Sequence, residues 1–194
     1  MGKETIPHEE KAFSVFEPHA ELIKKGKVRP PVEFGHRILL SSEQHGLIID
    51  YKVMEGGSEP GGIPPLLKRL SERFGESSIA SLSTDKGFSS EANRCLAEEL
   101  AEVVVMPGKG RRSAAESERE AGRAWKKLKN RHSTIESDTD CLEQHGLDRC
   151  PDKGLSGYKR YVGLGVLAFN LHRIGAALLS GVVAGKRRRK KKAA

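Results

Sequence analysis

The ten residues SLSTDKGFSS, 81–90, decide how the rest of the chain is read. A short apolar run from Ser78 to Leu82 passes directly into an acid, Asp85, and then into a Lys-Gly-Phe turn. A carboxylate placed there has two readings. Asp shapes turns and caps helices, because its short side chain accepts from nearby backbone N–H groups, and this is its ordinary role. Alternatively, it holds a metal ion at the carboxyl edge of a sheet.

The pattern around this stretch bears on the choice. Downstream, Ser89 or Ser90 can cap a helix whose apolar stripe is Ala92, Leu96 and Leu100. Val103 to Met106 reads as a short buried strand closed by Pro107-Gly108. Upstream, Val32 to Leu40 and Leu47 to Met54 are two β-type runs flanking a loop that ends at Gly46, which predicts a hairpin. Glycines and prolines between 56 and 65 break that pattern. Leu66, Leu67, Leu70 and Phe74 then carry a helical stripe. Strands alternating with helices imply βαβ units and a partly parallel sheet. A long helix is predicted from Ala114 or Ala115, with Trp125, Leu128, Ile135 and Leu142 facing the sheet. Glu136 sits one step round from Ile135, at the border of that stripe, with Lys129, Ser133, Asp140 and Glu143 nearby. A final helix, about Leu155 to Leu179, is apolar nearly all round and so reads as packed into a core or an interface. Residues 1–31 read as an extended lead-in, with a short strand near Phe13 to Phe16.

The chain has 194 residues, enough for one domain with its own core. Its formal charge of +8 is a property of one end. Lys186 to Lys192 is seven consecutive cations, and removing those seven from +8 leaves +1. Such a run repels itself, is expected to be disordered, and binds polyanions through counterion release without sequence preference. Lys186, Arg187, Arg188 and Arg189 are therefore candidate DNA contacts, against the plainer reading of a solubilising end. The loop Gly108-Lys109-Gly110-Arg111-Arg112 lacks the full phosphate-loop pattern, but Arg111 and Arg112 can face DNA. Three cysteines, an odd count, argue for free thiols in a reducing compartment. Cys141, His145 and Cys150 fit no usual zinc spacing. The N-terminus has no apolar core of the signal-peptide kind. Val162 to Ala184 is the most apolar stretch, and Asn170, His172 and Arg173 interrupt it, which argues against a membrane span.

Several stretches, in order, resemble the C-terminal half of insertion-sequence transposases of the DDE type, closest to an ISNCY-like group. They are IPHEEKAFSVFEPHAELIKKGK, PVEFGHRILL, STDKGF, RHSTIES, LEQHGLDRC and LAFNLHRIG. The resemblance spans Ile6 to Gly175 and implies an α/β, ribonuclease H-like fold, a mixed sheet flanked by helices. It implies metal-dependent cleavage and transfer of DNA strands, with three carboxylates holding Mg2+ or Mn2+. Asp85 in STDKGF matches the second acid and Glu136 in RHSTIES the third. Arg131 and Lys129 are the phosphate contacts that the resemblance suggests. The ion types suit the residues, because magnesium takes hard oxygen ligands and paired metals clamp an in-line phosphoryl displacement.

Three features depart from the family pattern. No Asp precedes Asp50, and Asp50 ends the second hairpin strand, where the family does not place its catalytic acid. The connection MEGGSEPGGIPPL is poor in acids and rich in Gly. Glu143 stands where related transposases often carry Lys. The expectation is thus a truncated, catalytically incomplete transposase lacking the first catalytic strand. Its parts would be the lead-in 1–31, a partial catalytic domain 32–180 and a basic tail 181–194. DNA would be its partner, with a full-length transposase or a second copy as possible company, no membrane, and a cytoplasmic, nucleoid-associated location in a bacterium. The alternative is a non-catalytic protein that binds DNA or pairs with a transposase.

Overall fold

The computed structural model describes residues 11–24, 32–56, 58–75, 78–108, 110 and 113–192. Among the described residues six strands and five α-helices follow one another in a mixed α/β order. The strands are β1 (Glu21–Lys24), β2 (Val32–Gly35), β3 (Ile38–Ser42), β4 (Ile48–Val53), β5 (Ser81–Ser83) and β6 (Val103–Val105). The helices are α1 (Ile63–Phe74), α2 (Glu91–Leu100), α3 (Ala114–Ala121), α4 (Arg123–Leu142) and α5 (Gly154–Lys192).

The strands form three separate two-stranded sheets, β1–β2 and β3–β4 antiparallel and β5–β6 parallel. This corrects the expectation of one ribonuclease H-like mixed sheet: among the described residues no continuous sheet is present. The hairpin β3–β4 and the β5–α2–β6 crossover do form. However, an open cleft of about 1760 Å³, lined by Leu40 of β3 and Leu82 and Ser83 of β5, lies where a joining strand would run.

Several boundaries also differ from those predicted. The lead-in strand is Glu21–Lys24, not Phe13 to Phe16, where Val15 and Phe16 stand almost fully exposed. Only the later segment alternates in register with a neighbour, Leu22 facing Phe34 and Ile23 facing Glu33. The run Val32 to Leu40 is two strands, because Gly35, at φ 147°, turns the chain before β3. The long helix is broken at Gly122, whose ψ of 139° leaves the helical region, so α3 and α4 are distinct. Glycine inside a helix costs about 1 kcal/mol relative to alanine and gives way readily.

Two apolar clusters hold these pieces. Ile63, Leu66, Leu67 and Leu70 of α1 pack with Leu39, Ala97 and Met106. Phe74, predicted to belong to this stripe, is 45% exposed. Ile48, Leu142, Val166 and Phe169 join β4, α4 and α5. Ser90 caps α2 as predicted, its hydroxyl accepting from the Asn93 N–H at 3.1 Å. Asn170, which interrupts the apolar run in sequence, spans the backbone of Ile48. Its Oδ1 accepts from the Ile48 N–H and its Nδ2 donates to the Ile48 carbonyl, both at 2.9 Å. A side-chain amide thereby satisfies both backbone polar groups of Ile48 at the start of β4, next to the register shift between Ser41 and Ser42.

The backbone of α5 stays helical through the cationic run Lys186–Lys192, where disorder was expected. Lys and Arg are good helix formers, and cations near a helix C-terminus interact favourably with the helix dipole.

Candidate active site

Asp85 follows the carboxyl end of β5 and stands at the N-cap position, just before a short 3₁₀ turn, Lys86–Phe88. Its side chain makes no capping bond to that turn. One carboxylate oxygen instead meets Nε2 of His132 at 2.9 Å, across a gap from β5 to α4. His132 is half-buried and Asp85 mostly exposed. The turn-capping role is therefore not what the side chain does; it reaches across to another element.

Glu136 is four residues beyond His132 on α4, on the same face and one turn along, a rise of about 6 Å. Asp85, Lys129, Arg131, His132 and Glu136 all line the cleft between β3 and β5. Both acids matched by the resemblance thus border the one cleft, Asp85 bonded to His132 and Glu136 one turn along the same helix. Lys129 also lies over the ring of Trp125, 5.0 Å from its centroid, a cation–π contact that positions the ammonium group. Arg111 and Arg112 lie outside the described residues, as do the side chains of Lys186, Arg187, Arg188 and Arg189.

His132 was legible in sequence only as a gap. It falls between Leu128 and Ile135 in the inward stripe, the position that a strictly apolar count of that stripe passes over. It belongs to RHSTIES, yet it was not singled out there.

Asp50 does other work. It lies in the middle of β4, 4% exposed, and both its oxygens accept from Arg69 of α1 at 2.6–3.2 Å. Arg73 adds a second cation at 3.7 Å. These bonds raise the Arg69 pKa above its ordinary value. A carboxylate so occupied is a structural tie between hairpin and helix. Asp138 is the second such tie: 1% exposed on α4, it accepts from Arg173 of α5 at 2.5 Å.

A second polar group was missed altogether. Glu17, His19, His36 and Glu21 form a chain of side chains: Glu17 to His19 at 2.8 Å, His19 to His36 at 2.8 Å, and His36 to Glu21 at 3.1 Å. The imidazoles stack, 5.1 Å between centroids and 14° from parallel. His36 Nδ1 also faces the Met54 carbonyl, and Glu17 accepts from the Gly154 N–H that opens α5. The chain therefore ties the lead-in to the hairpin and to the last helix. His36 is 8% exposed, and its removal breaks the chain in the middle, costing His19 and Glu21 one bond each while Glu17 and the Gly56 N–H remain to them. His36→Ala is expected to lower stability by about 2–3 kcal/mol, read as a lower midpoint in urea, whereas Phe16→Ala, at an exposed position, is expected to leave it unchanged.

The residues present do not complete a metal site. Among the described residues no group of three or more His, Cys, Asp and Glu side chains is placed to hold an ion. Asp85 and Glu136 supply two of the three carboxylates that the resemblance implies, and one Asp85 oxygen is taken up by His132. Cys141, His145 and Cys150 do not form one either. The His145 ring turns back onto the Cys141 carbonyl at 2.7 Å. No family model, curated protein or solved structure matches this chain.

Proposed function

We propose that this chain is a transposase-related protein of the DDE type that binds DNA and, in this form, is incomplete for strand cleavage. The observation that carries the reading is the pairing of Asp85, after the end of β5, with the His132–Glu136 face of α4 across one cleft. The matched second and third acids come from distant stretches of sequence, and both border that cleft. The cleft between β3 and β5 supports it too, since that is where a ribonuclease H-like sheet would carry its first strand and first acid. Mg2+ or Mn2+ is the cofactor the resemblance implies. Because the described residues do not complete the site, no chemical step is assigned to them.

What these residues can do is hold a polyanion. Lys129 and Arg131 line the cleft beside the two acids, and the run Lys186–Lys192 adds seven cations at the chain's end. Binding of this kind is independent of sequence and depends steeply on salt. Deleting Lys186–Lys192 should weaken binding of unrelated duplexes about equally and reduce the slope of log K against log salt by up to about six. Fluorescence anisotropy over a salt series checks it. An unchanged slope would place the contacts on the folded body. The reading of a binder without chemistry is favoured by one observation, the occupation of Asp85 by His132. Restoration of activity, described in the Discussion, separates the two.

A further inference from the structure

We infer that the outer face of α5 is a seam for a second copy of this chain. Leu164, Leu167, Leu171, Ile174 and Leu178 recur at alternating spacings of three and four, the period of a coiled-coil a/d stripe. All five are exposed, between 43% and 66%. Their face is the one the body does not use. Val162, Val166 and Phe169 are buried against the domain, and Leu171 lies two residues beyond Phe169, about 200° round the helix. Two copies joined along the stripe would therefore carry their domains on opposite sides, with no collision between them.

The residues flanking the stripe fit a helix of the same kind. Ala168, Asn170, Gly175 and Ala177 fall at the flanking e and g positions; they are small or uncharged, so nothing there repels a like face. The five side chains on each of two copies would bury roughly 1,000 Å² in total, the lower bound for a specific interface. The assembly is thus a concentration-dependent dimer, not an obligate one.

Lipid is the competing occupant, because Gly154–Gly181 is long and apolar enough to cross a membrane. The structure favours protein. A spanning helix would have to shed the Asn170 bonds to Ile48, the Arg173 pair with Asp138 and the packing of Phe169. The exposed apolar residues also form a line more than a cylinder as far as Ile174. The inference does not depend on the transposase reading.

Light scattering on the full chain at rising concentration tests it. The mass should approach twice 21.3 kDa. Leu167→Glu with Leu171→Glu should weaken association at least 100-fold, roughly tenfold or more for each substituted position, without changing the far-ultraviolet spectrum. Leu179→Glu removes an equally exposed leucine off the line and should leave the dimer intact. A monomer at every concentration, equal loss in the Leu179 variant, or flotation of the chain with neutral phosphatidylcholine vesicles would each overturn the seam.

Discussion

No nicking or joining of DNA is expected from the chain by itself, with magnesium or manganese, on any duplex. Asp85 and Glu136 line one cleft, but no third carboxylate is placed with them to hold an ion among the described residues. Asp50 cannot supply it, being buried and held by Arg69. A displacement that depends on positioned ions loses orders of magnitude when a ligand is missing. Fusing an N-terminal segment that carries one extended strand and an Asp should fill the cleft between β3 and β5 and bring activity up from background. In that fusion Asp85→Ala or Glu136→Ala should reduce cleavage by about 1,000-fold or more, while DNA binding in the same gel changes little. Cleavage by the chain alone, abolished by Asp50→Ala, would overturn this assignment. So would a fusion that folds, binds DNA and stays inactive with both acids present.

The second large effect concerns stability, at Asp50. Arg69→Met should destabilise the protein by about 3–5 kcal/mol, because it strands a carboxylate that is 4% exposed. Arg73, at 3.7 Å and half exposed, can recover only part of this. Asp50→Asn should cost less, about 2 kcal/mol, since the Arg69 head is partly exposed and can turn to water while the amide keeps one acceptor. The double variant Asp50→Leu with Arg69→Met should lie closer to the parent than Arg69→Met does, because replacing both partners of a buried pair leaves no uncompensated charge. Urea unfolding of the parent, Asp50→Leu, Arg69→Met and the double variant gives the cycle. A double variant as unstable as the sum of the two single ones would show that the pair is not coupled.

The secondary elements were largely legible along the chain because their signals are local. The hairpin follows from two β-rich runs around a glycine-ended loop, α1 from the Leu66–Leu67–Leu70 stripe, and the α2 cap from Ser90. Asp85 and Glu136 could be singled out for the same reason, each standing in a short recognisable string next to a predicted element. What could not be read was how separate elements meet. His132 looked like a gap in an apolar stripe until β5 placed Asp85 opposite it. The Glu17–His19–His36–Glu21 chain joins residues up to 19 positions apart through side-chain geometry that no periodicity encodes.

The last helix shows the division most clearly. Composition identified α5 as apolar nearly all round, and that predicts burial on every side. Only the tertiary structure decides which face is used, because burial depends on how much surface the rest of the chain has to offer. Val162, Val166 and Phe169 find partners, whereas Leu164, Leu167 and Leu171 do not. The same limit governs the sheet. Strand propensity is written locally, but whether β3 and β5 belong to one sheet depends on a strand lying between them. The described residues place a cleft there instead, because backbone hydrogen bonding joins strands only when they are adjacent.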